Sequence, residues 1–386
     1  MRILIYGGSF NPPHLGHVDA LRSAADALRP DRCVVIPAGI PPHKELSEGS
    51  PTGAERLAMC RLAFADIPNV EFSDMELLRE GKSYTVDTLR EISAAEPHAE
   101  LYFLVGTDML ECIETWYEFR EVLALCTPLA LARNDGEQEQ LEQIAQRLRK
   151  EYDAKVLLIR KKPLPMASTD LRETLPLRQG RDGLSEAVYS EIIRRRYYNA
   201  KPALDWLREQ AYAMLNPSRV AHVQGCEQEA VRLAERWGED LGEAAEAAIL
   251  HDVTKKLSPG EQLGLCDEYD IPLDPMERAE PKLLHARTGA HLARDRFGVS
   301  DSVFGAIQWH TTGRVGMTTL EKIIYLADFT EPTRSFSGLE RVRALTYEDL
   351  DQAMVEALLL SMEEVSSHGT APHPRSAETL KWLQNG

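Results

Sequence analysis

The feature that most constrains this chain is a change of periodicity near residue 198. Before it, short apolar runs alternate with helix-period segments. Strands are expected over 3–6, 34–36, 70–72, 101–105, 129–132 and 156–159, and helices over about 17–28, 54–64, 85–92 and 138–151. Strands alternating with helices imply a parallel sheet with right-handed crossovers, hence an α/β, doubly wound domain. In such sheets ligands lie at the carboxyl ends of the strands, so the loops after Tyr6, Ile36 and Val105 are where chemistry is expected. Beyond residue 198 only helical periods remain, over 227–237, 243–250, 286–296 and 320–327, and that half reads as all-α. Asn199-Ala200-Lys201-Pro202 is the expected boundary, dividing the chain into domains 1–199 and 200–386. Two unlike halves without an internal repeat or low-complexity tract point to a fusion of two activities.

Charge narrows the partners. The chain carries a formal net charge of -17, so general nucleic-acid binding is disfavoured. Small phosphates remain compatible, because a few local cations and backbone N–H groups are enough. No apolar run approaches the roughly 20 residues that span a bilayer, so no membrane partner is expected. Residues 1–10 are too short an apolar stretch for a secretory signal. The six cysteines form no C-x-x-C pair and sit singly in apolar segments, as in a reduced, cytoplasmic protein without a cysteine zinc site. Oligomeric state is not legible, and a homo-oligomer stays open.

The segment from Gly7 to His17, GGSFNPPHLGH, carries most of the chemical information. Gly7 and Gly8 let the backbone turn and approach a ligand closely after the first strand. The helix that follows points unpaired N–H groups and a partial positive charge at the same spot. His14 and His17 add imidazole donors. Fixed donors where charge builds up are what phosphoryl transfer needs, since it asks little covalent help of the protein.

This string resembles the nucleotidyltransferase signature and, more narrowly, the nicotinate mononucleotide adenylyltransferase (NadD) family. Pro41-Pro42-His43-Lys44, Ser83-Tyr84-Thr85-Val86-Asp87-Thr88-Leu89, Gly106-Thr107-Asp108 with Thr115-Trp116, and Ser168-Thr169-Asp170-Leu171-Arg172 are similar to further motifs of that family, with Met166-Ala167 where Ile-Ser is usual. The resemblance implies a Rossmann-like domain that transfers an adenylyl group from ATP, with its Mg2+, to nicotinate mononucleotide. It implies catalytic roles for His14, His17, Lys44 and Arg172, and ATP contacts from Gly7, Gly8, Ser9, Phe10, Asp108, Ser168 and Thr169. Asn11, Tyr84, Thr85, Trp116 and Arg133 are the implied mononucleotide contacts. Lys44 and Arg172 can neutralise the triphosphate and pyrophosphate. Ser168 and Thr169 either cap a helix or donate to phosphate. Trp116 either stacks on the pyridine ring or belongs to the core. Asp108 either contacts ribose or adenine or caps its helix.

In the second half, His222, His251-Asp252, His285, His310 and Asp328 form an ordered set of imidazoles and carboxylates, with His251-Asp252 inside a helical pattern over 244–257. Such donors suit zinc, iron or manganese. An adjacent His-Asp pair lets the carboxylate bridge two metals. The set resembles the HD-domain metal-dependent phosphohydrolases. Its context (Arg219, Lys255, Leu284-His285-Ala286, His310-Thr311-Thr312-Gly313-Arg314, Glu331-Pro332 and Arg334) resembles the YqeK family, which hydrolyses diadenosine tetraphosphate symmetrically to two ADP. The resemblance implies one metal on His222, His251, Asp252 and Asp328, and a second on Asp252, His285 and His310. It favours iron, although side-chain type does not separate iron from manganese. Lys255, Arg314 and Arg334 either contact the polyphosphate or are solvated surface charge. Two other readings stand beside this one: a non-catalytic nucleotide sensor in the second half, and a transferase with another acceptor, such as nicotinamide mononucleotide or pantetheine phosphate.

Overall fold

Ile3, Leu4 and Ile5 are at most 1% exposed, as in a strand covered on both faces. They lie in β1 (Arg2–Gly8), which is joined by β2 (Arg32–Pro37), β3 (Val70–Phe72), β4 (Glu100–Gly106), β5 (Thr127–Leu131) and β6 (Leu157–Ile159). The computed structural model describes residues 1–40, 49–132, 136–161 and 164–385. It divides into two units, Met1–Lys201 and Pro202–Gly386.

The six strands of the first unit are all parallel, in the order β3-β2-β1-β4-β5-β6. The chain winds outward on one side from β1 to β3, then returns to lay β4 beside β1 and winds outward on the other. The reversal between β1 and β4 is the switch point, the place where sheets of this kind bind ligands at the carboxyl ends of their strands. β1 runs through Gly7 and Gly8, which pair with Ile36 and Pro37, so the glycines end the strand from within it. The helix Glu137–Tyr152 is polar with one buried face: Leu141, Ile144, Ala145 and Leu148 are buried, and the remaining face is hydrophilic.

The second unit contains no strand among its described residues. Its central helix is Leu241–Leu250, in which every residue from Ala244 to Leu250 is buried. A helix buried on all sides must sit inside others, and Val220–Trp237, Asp301–Gln308 and Thr319–Thr330 pack on it. The helix stops at Leu250, short of the expected 257. There the side chains compete for the backbone: the His251 ring takes the Ala248 carbonyl, and the next N–H groups close tight turns onto Leu250, Asp252 and Thr254. His251 and Asp252 therefore emerge from the end of a buried helix. Among the described residues, no helix is long and apolar enough to cross a membrane. Cys112 is exposed, and the other five cysteines are buried thiols.

Candidate active sites

The first site grows out of the end of β1. Phe10 takes a left-handed backbone (φ 45°), a conformation that costs a side-chain-bearing residue about 1 kcal/mol or more. Its fully buried ring offsets that cost by packing edge-on against Tyr6 and Phe64, with centroids 5.3 and 5.8 Å away. The next turn leads into the helix Leu15–Leu28, which His14 caps. The His17 N–H donates to His14 Nδ1 at 3.3 Å, and the His14 N–H donates to His17 Nδ1 at 3.2 Å. Both Nδ1 atoms therefore accept, and the neutral rings carry their hydrogens on Nε2. Each imidazole is set as an Nε2–H donor. The rings lie 3.7 Å apart. Gly16 makes room beside them, since a Cβ there would stand a tight 3.0 Å from His14 Nδ1 and 3.2 Å from Met166 Cβ.

The segment from Ser168 closes on the same loop. Ser168 Oγ donates to the Pro12 carbonyl at 2.9 Å, and Arg172 donates to the Asn11 carbonyl at 2.7 Å and to Thr169 Oγ1 at 3.2 Å. Ser168 opens the helix Ser168–Thr174 as its first residue, so its hydroxyl is spent on the loop and not on a cap. Tyr198 Oη donates to Asn11 Oδ1 at 2.8 Å. Asp108 lies exposed in the first turn of Thr107–Glu111, just past the end of β4. Thr85 is the first residue of Thr85–Ala95, preceded by Tyr84. Trp116 is 6% exposed and packs edge-on against Phe103 within the core. The exposed ring beside it is Tyr117, which lies 4.8 Å from the ring of Tyr84. Lys44 and Arg133 lie outside the described residues.

The second site gathers side chains from across its unit around one buried carboxylate. Asp252 Oδ2 lies 3.4 Å from His251 Nε2 and 3.8 Å from His222 Nε2. Its other oxygen, Oδ1, lies 3.4 Å from His285 Nε2 and 3.8 Å from His310 Nε2. Asp328 Oδ1 completes the first side, 3.1 Å from His222 Nε2. One carboxylate thus faces two histidine pairs, one with each oxygen.

The outer nitrogens explain why all four rings present Nε2. Nδ1 of His251, His285 and His310 each sits 2.7 Å from the carbonyl three residues earlier. A carbonyl only accepts, so Nδ1 carries the hydrogen and the neutral ring keeps its lone pair on Nε2. His222 uses the buried carboxylate of Glu331 instead, at 3.0 Å. Room for that carboxylate depends on Gly225, where a Cβ would stand 2.5 Å from Glu331 Oε2.

The residues fit a divalent cation. Nε2 of His222, His251 and His310 are buried without hydrogen-bond partners, and such atoms are costly unless something binds them. Burial lowers His285 to about 4 and His310 to about 3, which keeps both neutral as ligands must be. Burial works against the Asp252 charge, but His251 and Lys255 hold the carboxyl well below its usual range. Arg219 grips Asp252 Oδ2 at 2.6 Å, Lys255 reaches Asp252 Oδ1 at 3.3 Å, and Arg334 reaches Asp328 Oδ1 at 2.8 Å. Arg314 is held by both oxygens of buried Glu321. A further group of possible ligands, Asp274, Glu277 and His373, is already balanced by Arg287 and Arg375.

Residues 5–174 match the cytidylyltransferase-like family, and residues 219–333 match the HD domain. Over 133 residues the chain is 46% identical to a protein of Citrifermentans bemidjiense named "Probable nicotinate-nucleotide adenylyltransferase", a stretch covering 34% of this chain and 61% of that relative's length. With the protein of the same name from Carboxydothermus hydrogenoformans, identity is 36% over 174 residues, 45% of this chain and 86% of the relative. The symmetrical bis(5'-nucleosyl)-tetraphosphatase of Bacillus subtilis is 36% identical over 189 residues, 49% of this chain and 99% of the relative. The first unit belongs to the nicotinate-nucleotide adenylyltransferase family and the second to the HD-domain family.

Several residues of the two sites escape a reading of the sequence. In the adenylyltransferase unit these are Tyr117 and Tyr198; in the HD unit they are Arg219 and Glu331 in their contacts with Asp252 and His222. Arg219 and Glu331 stand inside the HD motif context, which signals their neighbourhood but not their partners. Tyr117 and Tyr198 carry no such signal.

Proposed function

We propose that the chain is bifunctional: its first unit transfers the adenylyl group of ATP to nicotinate mononucleotide, and its second hydrolyses diadenosine tetraphosphate symmetrically to two ADP. For the transferase, the observation that carries the reading is the reciprocal bonding of His14 and His17, which aims two Nε2–H donors from the start of a helix beside the end of β1. Donors fixed in that way stabilise charge developing at the reacting phosphate. The mononucleotide phosphate attacks the α-phosphorus of ATP, the bond to the bridging oxygen breaks, and pyrophosphate leaves, with Mg2+ arriving as part of the nucleotide substrate. Arg172 and Lys44 are the proposed cations for the triphosphate, and Ser9, Ser168 and Thr169 the proposed polar contacts. The acceptor's flat ring is proposed to lie near Tyr84 and Thr85, with the exposed Tyr117 beside them in place of the buried Trp116.

For the hydrolase, the observation is the division of Asp252 between two histidine pairs. His222, His251, Asp252 and Asp328 would hold one cation, and Asp252, His285 and His310 the second, with iron proposed. Bound there, the cations lower the pKa of water and screen phosphate charge. Lys255 and Arg334, beside the carboxylates, are the proposed polyphosphate contacts, together with Arg314, which here pairs with Glu321. The test is turnover on each proposed substrate pair, with nicotinamide mononucleotide as the competing acceptor. A site with donors for a carboxylate leaves them unpaired against an amide, and discrimination of at least tenfold for the acid is expected. Equal efficiency on both acceptors, or a metal-loaded protein that leaves diadenosine tetraphosphate intact, would overturn the corresponding half.

A further inference from the structure

Arg56, on the helix Gly53–Ala63, is 1% exposed, a burial unusual for a charged side chain. Its guanidinium donates to the Ser9 carbonyl at 2.6 Å and to the Ala38 carbonyl at 2.7 Å. Ser9 follows β1 and Ala38 follows β2, so one side chain clasps the loops leaving two neighbouring strands at their carboxyl ends. Neither loop has slack. The ring of Phe10 anchors the first, and in the second a Cβ on Gly39 would collide with the Glu76 carbonyl.

No carboxylate pairs with Arg56 among the described residues, and its Nε is buried without a partner. The titratable groups acting on it are Cys60, one turn further along the same helix, and Tyr198, whose hydroxyl donates to Asn11 in the same loop. Burial pulls its pKa down, the direction expected of an uncompensated charge. Two neutral carbonyls return less than a buried, unpaired charge costs. The Ser9 loop is also the one that carries the His14 and His17 donors, where a polyanion is expected.

We propose that Arg56 is a positioning residue for adenylyl transfer: it fixes the spacing of the Ser9 and Ala38 loops, and its buried charge is balanced by the triphosphate of the bound nucleotide. The inference rests on the transferase reading above. It predicts that the guanidinium matters more to the nucleotide-bound state than to the empty one.

The test uses the full chain as wild type, Arg56→Met and Arg56→Lys. The readouts are the thermal midpoint with and without Mg2+–ATP, and kcat and KM for ATP in dinucleotide synthesis. In Arg56→Met the ATP-induced rise in midpoint should fall by more than the ligand-free midpoint does, with KM for ATP raised at least tenfold. Arg56→Lys keeps the charge but not the fork. It should recover most of the ATP-induced rise while kcat stays below wild type, because one ammonium does not span both carbonyls. A Met variant with a lower ligand-free midpoint but an undiminished ATP response would reduce Arg56 to a structural residue and overturn the proposal. Should the Met variant not fold, the Lys variant decides: kcat and KM equal to wild type would likewise overturn it. A wild type that does not respond to ATP would overturn the transferase reading itself, whereas a responding wild type beside an equally responsive Met variant would overturn only the role of Arg56.

Discussion

His222 leans on the buried carboxylate of Glu331, 3.0 Å from its Nδ1, whereas His251, His285 and His310 lean on backbone carbonyls of their own segments. One imidazole of the four thus faces a full negative charge. A carboxylate partner raises the basicity of a metal-binding imidazole and fixes its orientation. Thr333 holds Glu331 in turn, through its N–H at 2.6 Å and its hydroxyl at 2.5 Å.

Glu331→Ala should therefore weaken metal binding by about 10–100-fold, the range found when such outer partners are removed. Glu331→Gln keeps an acceptor for the His222 N–H but not the charge, and should lose less. Calorimetric titration of the metal-free protein with Mn2+ measures both. Unchanged affinity in the Ala variant would show that His222 is oriented by its helix alone.

Asp252→Ala should empty both metal positions, because each carboxylate oxygen faces a different histidine pair. His310→Ala should chiefly disturb one. Elemental analysis of metal per chain separates the two outcomes. Adenylyl transfer should persist in Asp252→Ala, since the proposed transferase residues all lie in the other unit. A folded variant that loses dinucleotide synthesis would show that the two activities are coupled.

Metal uptake should depend on pH through His251 rather than through His285 or His310. Burial opposes the charge on His251, but Asp252 and Cys226 together outweigh it and raise the imidazole well above its usual value. Below that raised pKa a cation must displace a proton, so affinity should climb by about tenfold per pH unit and level off above it. His285 and His310, lowered to about 4 and about 3, are already neutral at pH 6 and add no slope there. Mn2+ titrations between pH 6 and 8 in buffers of different ionisation enthalpy count the proton released. A flat profile would contradict this assignment.

His17→Ala should cut dinucleotide synthesis by about 10²–10³ in turnover, the effect of removing one fixed donor to developing charge. The His14 N–H also loses its acceptor, so thermal denaturation of the variant must accompany the kinetics. Near wild-type turnover would remove His17 from the reaction.

Trp116→Ala should act mainly on stability, at about 3–5 kcal/mol, because the indole is buried against Phe103. Tyr117, exposed against Tyr84, is the better candidate for a ring contact. Tyr117→Ala should raise KM for the pyridine mononucleotide and leave KM for ATP nearly unchanged. Denaturation midpoints and the two KM values distinguish these outcomes. A Trp116→Ala protein of normal stability but poor acceptor binding would reverse the assignment.

Much of this protein is determined locally by its sequence. The alternation of apolar runs and helical periods is a property of neighbouring residues, and it specifies the parallel sheet, the helical second unit and strand ends close to those found. The Gly7–His17 string and the ordered histidines and aspartates are equally local signals of residue type. Which atom of each residue does the work is not local. Ser168 meets Pro12 across 156 positions, His222 meets Glu331 across 109, and Arg56 meets Ser9 across 47. Only the packed fold decided that the histidines of both sites present Nε2, that Asp252 divides its two oxygens between two pairs, and that Trp116 is core while Tyr117 is surface. The physical reason is that a hydrogen bond or a burial is set by distance and direction in space, and periodicity along the chain specifies the elements but not which of their side chains converge.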